Sequence, residues 1–239
     1  MNRITFMSQS GYVEITDSAI LVFDYYTDPS HALHKALDNH PDLPVIFFVS
    51  HYHQRHLSNS MFEIAQSHKR VYVMSNDILP QIVPGDLPVA GMSKGDVIED
   101  LPGGIKVKAY GSTGPGVSFL VTTADGTDIF YGGTITGNAQ VQTHNHKQSH
   151  TADFEVLINH IASEVSDVDV AYLSVDFLQE QTAVDTLNRF ATHIHTGNMV
   201  AMNIGGTTPD ADKLQAQMPE GTLLHCLNRP GESIDIAHD

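Results

Sequence analysis

Val45-Ile46-Phe47-Phe48-Val49-Ser50-His51-Tyr52-His53-Gln54-Arg55-His56 decides how this chain is read. Five consecutive apolar residues, β-branched or aromatic and set off by Pro41 and Pro44, specify a strand buried on both faces, as in the middle of a parallel sheet. The polar run begins where that strand ends, and open α/β sheets place their ligands at that end. His51 and His53 are two residues apart, so an extended backbone points them the same way. His56, three positions on, can close around the same point from a turn. Imidazole is the commonest protein ligand for zinc and similar ions, and a loop at a strand end leaves a coordination position open for water. Among 15 histidines some close pairs arise by chance, so the buried strand in front of this cluster is what singles it out.

Before that strand lie the runs Ile4-Thr5-Phe6, Gly11 to Thr16 and Ala19 to Asp24, short and separated by turn residues, which predict an antiparallel meander. His31 to Asn39 has helical spacing, with Leu33 and Leu37 on one face. After the histidines, Ser58 to His68 is expected to be a helix with Met61, Ile64 and Ala65 inward, and Val71 to Met74 a strand. The Pro/Gly-rich stretch from Pro80 to Gly104 is taken as a connection to three more strands, Ile105 to Tyr110, Val117 to Thr122 and Asp128 to Tyr131. Ala124 to Thr127 turns the last two into a hairpin. The remainder alternates helix and strand: Ala152 to Glu164, Val170 to Ser174, Glu180 to Thr192, Met199 to Ile204, Pro209 to Gln217 and Thr222 to Leu227. This order predicts an α/β chain (α+β by some schemes) of two sheets packed face to face with helices outside, and one domain over residues 1–239.

Composition limits what the chain can bind. With 239 residues, 41% of them hydrophobic, it can bury a large core. A formal charge of −16 with only 12 Lys and Arg argues against nucleic acid and anionic membrane as partners. Met1 to Phe6 lacks the apolar run of a secretion signal and no stretch is long enough to span a bilayer, so a cytoplasmic location is expected. Cys226, the single cysteine, has no intramolecular partner for a disulfide and is expected to be an inert thiol in a buried strand.

His51-Tyr52-His53-Gln54-Arg55-His56 resembles the His-x-His-x-Asp-His signature of the metallo-β-lactamase superfamily. Gly111 to Phe119, Ile129-Phe130-Tyr131-Gly132-Gly133-Thr134, Asp169 to Asp176 and Met199 to Asn203 extend the resemblance over almost the whole chain. It implies a four-layer αββα sandwich and a metal-dependent hydrolase-like function.

Departures from the pattern matter as much as the matches. Arg55 stands where relatives carry the motif aspartate, Gly133 where they carry a bridging aspartate, and Asn203 where a strand ends in histidine. A guanidinium beside a divalent cation is repelled where a carboxylate would attract it. The resemblance therefore implies no ordinary dinuclear centre. The third histidine of the first site should fall near Gly111-Ser112-Thr113, where there is none. His51, His53 and His56 are left as candidate ligands for at most one ion, zinc by preference and manganese or iron otherwise. Arg55 and Asp176 are the candidate catalytic residues, Arg55 because it can hold a carboxylate or phosphate group of a small anionic substrate. A non-catalytic protein that binds an anionic small molecule, or serves as an assembly subunit, is the alternative, and homo-oligomerisation is left open.

Other signals are weaker. His144, His146 and His150 follow the last hairpin and are expected to be a polar loop, although they could reach the site. His193 and His195 are expected at a helix exit. Asp24 and Asp176 each end a strand near the expected site, where either could pair with Arg55. Gly111 to Gly116 lacks the endings of a phosphate loop and is expected to be a tight inter-strand turn.

Overall fold

The computed structural model describes residues 1–53, 57–78, 87–137 and 150–237, apart from the side chains of residues 150–152, 203 and 204. The alternating runs at the start form β1 (Asn2–Ser8), β2 (Gly11–Ile15) and β3 (Ile20–Phe23), an antiparallel meander with Thr5 opposite Val13 and Val13 opposite Val22. β4 (Val45–Val49) then lies parallel between β3 and β5 (Arg70–Ser75), and all five of its residues are buried. A fully apolar strand fits that central place because it has no polar face to present to water. β6 (Val89–Met92) and β14 (Ser233–Ile236) close the first sheet, whose order is β14-β1-β2-β3-β4-β5-β6.

The second sheet runs β13-β12-β11-β10-β9-β8-β7. Its strands are β7 (Val97–Leu101), β8 (Ile105–Tyr110), β9 (Ser118–Thr122), β10 (Asp128–Tyr131), β11 (Asp167–Asp176), β12 (His195–Gly205) and β13 (Leu223–His225). One apolar cluster holds residues of both sheets, Phe23, Phe48 and Val73 from the first and Phe119, Tyr131 and Tyr172 from the second. A second packs the helices His150–Ala162 and Glu180–His193 on the outer face of the second sheet, and a third packs the helix Ala32–Asn39 on the outer face of the first. The result is the αββα sandwich expected from the element order. Among the described residues no helix is long and apolar enough to cross a membrane.

Three expectations need correction. Ser58 to His68 forms only a 3-10 turn, Asn59–Glu63. The Arg70 guanidinium takes the carbonyls of Phe62 (3.1 Å) and Ile64 (2.7 Å), which a continuing helix would need, and Ala65 adopts a left-handed φ of 57°. The stretch taken as a connection contains β6 and β7, and the C-terminal β14 pairs with β1, Asn2 opposite Ile236. Cys226 lies just past β13 and is half-buried rather than inside a strand; burial pushes its thiol up to about 11, which keeps it protonated and unreactive.

Between the sheets, Glu14 of β2 is fully buried and accepts hydrogen bonds from Asn2 Nδ2 (2.8 Å) and Tyr172 Oη (2.6 Å). Burial raises its pKa to about 7, against the pull of those two donors. The native state therefore holds this proton more tightly than the unfolded chain does, so the associated stability is full at pH values below the ordinary carboxyl pKa and is lost as pH rises through about 7. Glu14→Gln, which mimics the protonated form, should gain on the order of 2–3 kcal/mol relative to the wild type between about pH 5 and about pH 8. Urea unfolding of both proteins at the two pH values measures this, and a constant difference would mean that Glu14 does not take up the proton.

Candidate functional site

The carboxyl end of β4 delivers Ser50 and His51 to a point where the two sheets meet. Asp24, the residue after β3, is completely buried with a left-handed φ of 43°, and its N–H donates to Phe48 O (2.9 Å). This conformation is one that Asp tolerates better than most residues. Its carboxylate gathers three donors. Oδ1 accepts the Ser50 backbone N–H (2.8 Å), while Oδ2 accepts the Ser50 hydroxyl (2.7 Å) and the Tyr131 hydroxyl (2.9 Å). Tyr131 also reaches Ser10 O at 2.9 Å. Burial, and then the Asp24 charge, hold the Tyr131 phenol well above its ordinary pKa, so it stays a donor. Ser50 Oγ in turn lies 2.9 Å from His51 Nδ1.

Two glycines press against this assembly. A Cβ on Gly116, which has φ +81°, would stand 2.1 Å from Ser50 O and 2.5 Å from His51 Cβ. On Gly133, with φ +56°, it would stand 2.7 Å from Ser50 Cβ and 2.9 Å from Ser50 Oγ. Both positions need glycine for its backbone conformation and for its lack of a side chain. The Gly133 position, where the resemblance placed a bridging carboxylate, therefore has no room for one without moving Ser50.

The loop between β8 and β9 is the tight turn expected of it, and hydroxyl groups hold it together. Thr113 Oγ1 reaches the carbonyls of Thr134 and Thr136, each at 3.1 Å, and accepts the Thr136 N–H at 3.0 Å. Ser112 and Thr134 join their hydroxyls at 2.5 Å, and Thr134 Oγ1 donates to Pro115 O at 2.8 Å. These hydroxyl contacts, in the segment where the resemblance placed the third histidine, fasten this loop to the one after β10.

His53 lies beside His51, with ring centroids 6.0 Å apart and planes inclined by 32°. His51 is 3% exposed, whereas His53 and Tyr52 face solvent. Two imidazoles bound to one zinc at the tetrahedral angle, with Zn–N near 2.0–2.1 Å, place their centroids about 5 Å apart, so this pair stands within roughly 1 Å of the spacing that one ion would bridge. Among the described residues no group of three His, Cys, Asp or Glu side chains is gathered in metal-holding range. Arg55, His56, His144 and His146 lie outside the described residues, as do the side chains of His150 and Asn203. Asp176 ends β11 beside Gly205, and its Oδ1 caps the following turn by accepting the Leu178 N–H at 2.9 Å. His193 closes a helix, with Nδ1 at 2.8 Å from Arg189 O, and His195 opens β12 opposite Asp167, at the far end of the strand pair from Asp176.

Sequence reasoning did not single out Ser50 or Tyr131. The available signal was a hydroxyl residue directly before the first histidine and a tyrosine directly before Gly132-Gly133, at facing strand ends.

By sequence alone the chain matches no protein-family model and no curated protein. By structure it is similar to Igni18, a metallo hydrolase from the archaeon Ignicoccus hospitalis, with TM-score 0.71 and 15% identity over 100% of both chains. It is also similar to the metallo-β-lactamase fold protein YhfI from Bacillus subtilis, with TM-score 0.62 and 13% identity over 98% of this chain and 100% of that one. CmlA, a diiron β-hydroxylase from Streptomyces venezuelae, superposes with TM-score 0.63 and 10% identity, covering 98% of this chain and 54% of that one. This chain has the metallo-β-lactamase fold.

Proposed function

We propose that this chain is a metal-dependent hydrolase with a single-ion centre that acts on a small anionic substrate. The observation that carries this reading is the His51–His53 pair, one ring buried and the other at the surface, 6.0 Å apart at the carboxyl end of the central strand. His51 and His53 would hold the ion, with His56 as the third donor. Zinc suits imidazole best, with manganese or iron as alternatives. A bound ion would lower the pKa of a coordinated water to about 7 and so supply a hydroxide nucleophile. Arg55 would hold the anionic group of the substrate in a forked hydrogen bond, with the rim carboxylate of Asp176 to orient it. A second ion is disfavoured by Gly133, which offers no carboxylate and no space for one. We take the chain to work as one domain in the cytoplasm.

Turnover of phosphodiester, lactone and ester substrates with and without added zinc or manganese tests this reading. Metal should stimulate the wild-type rate, and His51→Ala combined with His53→Ala should lower it by about 100-fold or more. Equal rates in the two proteins would overturn the proposal.

A further inference from the structure

The Ser50 hydroxyl stands between the buried carboxylate of Asp24 and the ring of His51. A hydroxyl has one proton to give. The Asp24 carboxylate can only accept, and it already takes the Ser50 N–H and the Tyr131 hydroxyl, so the Ser50 hydroxyl proton points to Asp24 Oδ2. Ser50 Oγ is then left to accept, and the 2.9 Å contact requires His51 Nδ1 to carry the hydrogen. The lone pair of the neutral ring falls on Nε2.

We infer that Ser50 is a positioning residue, which relays the Asp24 carboxylate to His51 and so fixes Nε2 as the nitrogen that His51 presents to its ligand. This deepens the proposed function and rests on it where the ligand is a metal ion. Gly116 packs its backbone against Ser50 and His51, and Gly133 against the Ser50 side chain, with no side chain between, which holds the relay in register. Tyr131 anchors the carboxylate from the opposite sheet.

The relay has a sign that can be reversed while the hydrogen bonds among Asp24, Ser50, Tyr131 and His51 are kept. In Asp24→Asn the side-chain oxygen still accepts the Ser50 N–H, and the amide nitrogen now donates to Ser50 Oγ and Tyr131 Oη. Tyr131 can give its proton to Ser10 O, already 2.9 Å away. Ser50, now an acceptor from Asn, must donate to His51 Nδ1, which moves the ring hydrogen to Nε2. Asparagine also tolerates the left-handed backbone at this position. The variant should therefore fold, with the opposite tautomer.

Long-range proton–nitrogen correlation spectra of the protein without added metal, at a pH where the ring is neutral, read the tautomer directly. The wild type should show Nδ1–H and Asp24→Asn should show Nε2–H, with zinc affinity about 10–100-fold weaker in the variant. Ser50→Ala, which removes the relay, should lose the preference for Nδ1–H and serves as the deciding variant if Asp24→Asn does not fold. An unchanged tautomer in whichever variants fold overturns the positioning role, and leaves the metal reading standing if the wild type takes up zinc. A tautomer that reverses in protein that takes up no zinc upholds the positioning role and overturns the metal reading.

Discussion

Asp24→Ala should destabilise the protein by about 4–7 kcal/mol, measured as a drop in unfolding free energy by urea or guanidinium titration. Three buried donors converge on this carboxylate, and alanine accepts from none of them. Tyr131 can fall back on Ser10 O and the Ser50 hydroxyl can turn to His51 Nδ1, but the Ser50 N–H is left without an acceptor in the interior. An unsatisfied buried donor costs about 1–3 kcal/mol, a lost hydrogen bond to a charged group about 1.5–3, and alanine at positive φ about 1 more. Asp24→Asn removes none of these bonds outright and should stay within roughly 2 kcal/mol of the wild type. Equal losses in the two variants would mean that the site depends on the charge of Asp24 and not on its hydrogen bonds.

Gly116→Ala should cost about 3–4 kcal/mol and disturb His51 as well. Its φ of +81° penalises any side chain, and the added methyl would fall 2.1 Å from Ser50 O, a backbone atom that cannot rotate away. Relief requires the loop before β9 to move from the end of β4, which also shifts the packing of His51. Lower stability and weaker zinc binding should therefore appear together. Gly126 makes the control: it also has positive φ, but nothing lies within 4 Å of its added methyl, so Gly126→Ala should show the conformational penalty alone, about 1–2 kcal/mol.

The layers of the fold were legible because the strands that build the core announce themselves. Val45–Val49 has no polar residue, and the strands of the meander are separated by turn residues, so their order and burial follow from the sequence. β6, β7 and β14 were not legible. Val89-Ala90-Gly91-Met92 and Val97-Ile98-Glu99-Asp100-Leu101 lie at sheet edges, where one side faces water and the composition is that of a loop. Ser233-Ile234-Asp235-Ile236 becomes a strand only because β1 offers it an open edge more than 220 residues away, a contact that local pattern cannot announce. The helix expected after the histidines fails for a related reason, since Arg70, beyond the segment, takes the carbonyls that would have continued it.

The site was legible in part. His51-x-His53 after a buried strand pointed to the end of β4 as the candidate site, and Asp24 was expected near it as a partner for Arg55. Its contacts with Ser50 and Tyr131 were hidden, because they join residues 26 and 107 positions apart. Glycine at 133 could be seen as a missing carboxylate, but the reason that none fits there, contact with Ser50 at a left-handed backbone, exists only in the folded chain.

Metal content per chain, measured by mass spectrometry on protein carrying no affinity tag, tests the single-ion centre most directly. One zinc, manganese or iron per chain, lost when His51 and His53 are both replaced by alanine, is the predicted result. Two ions per chain, or none after incubation with excess zinc, would contradict it.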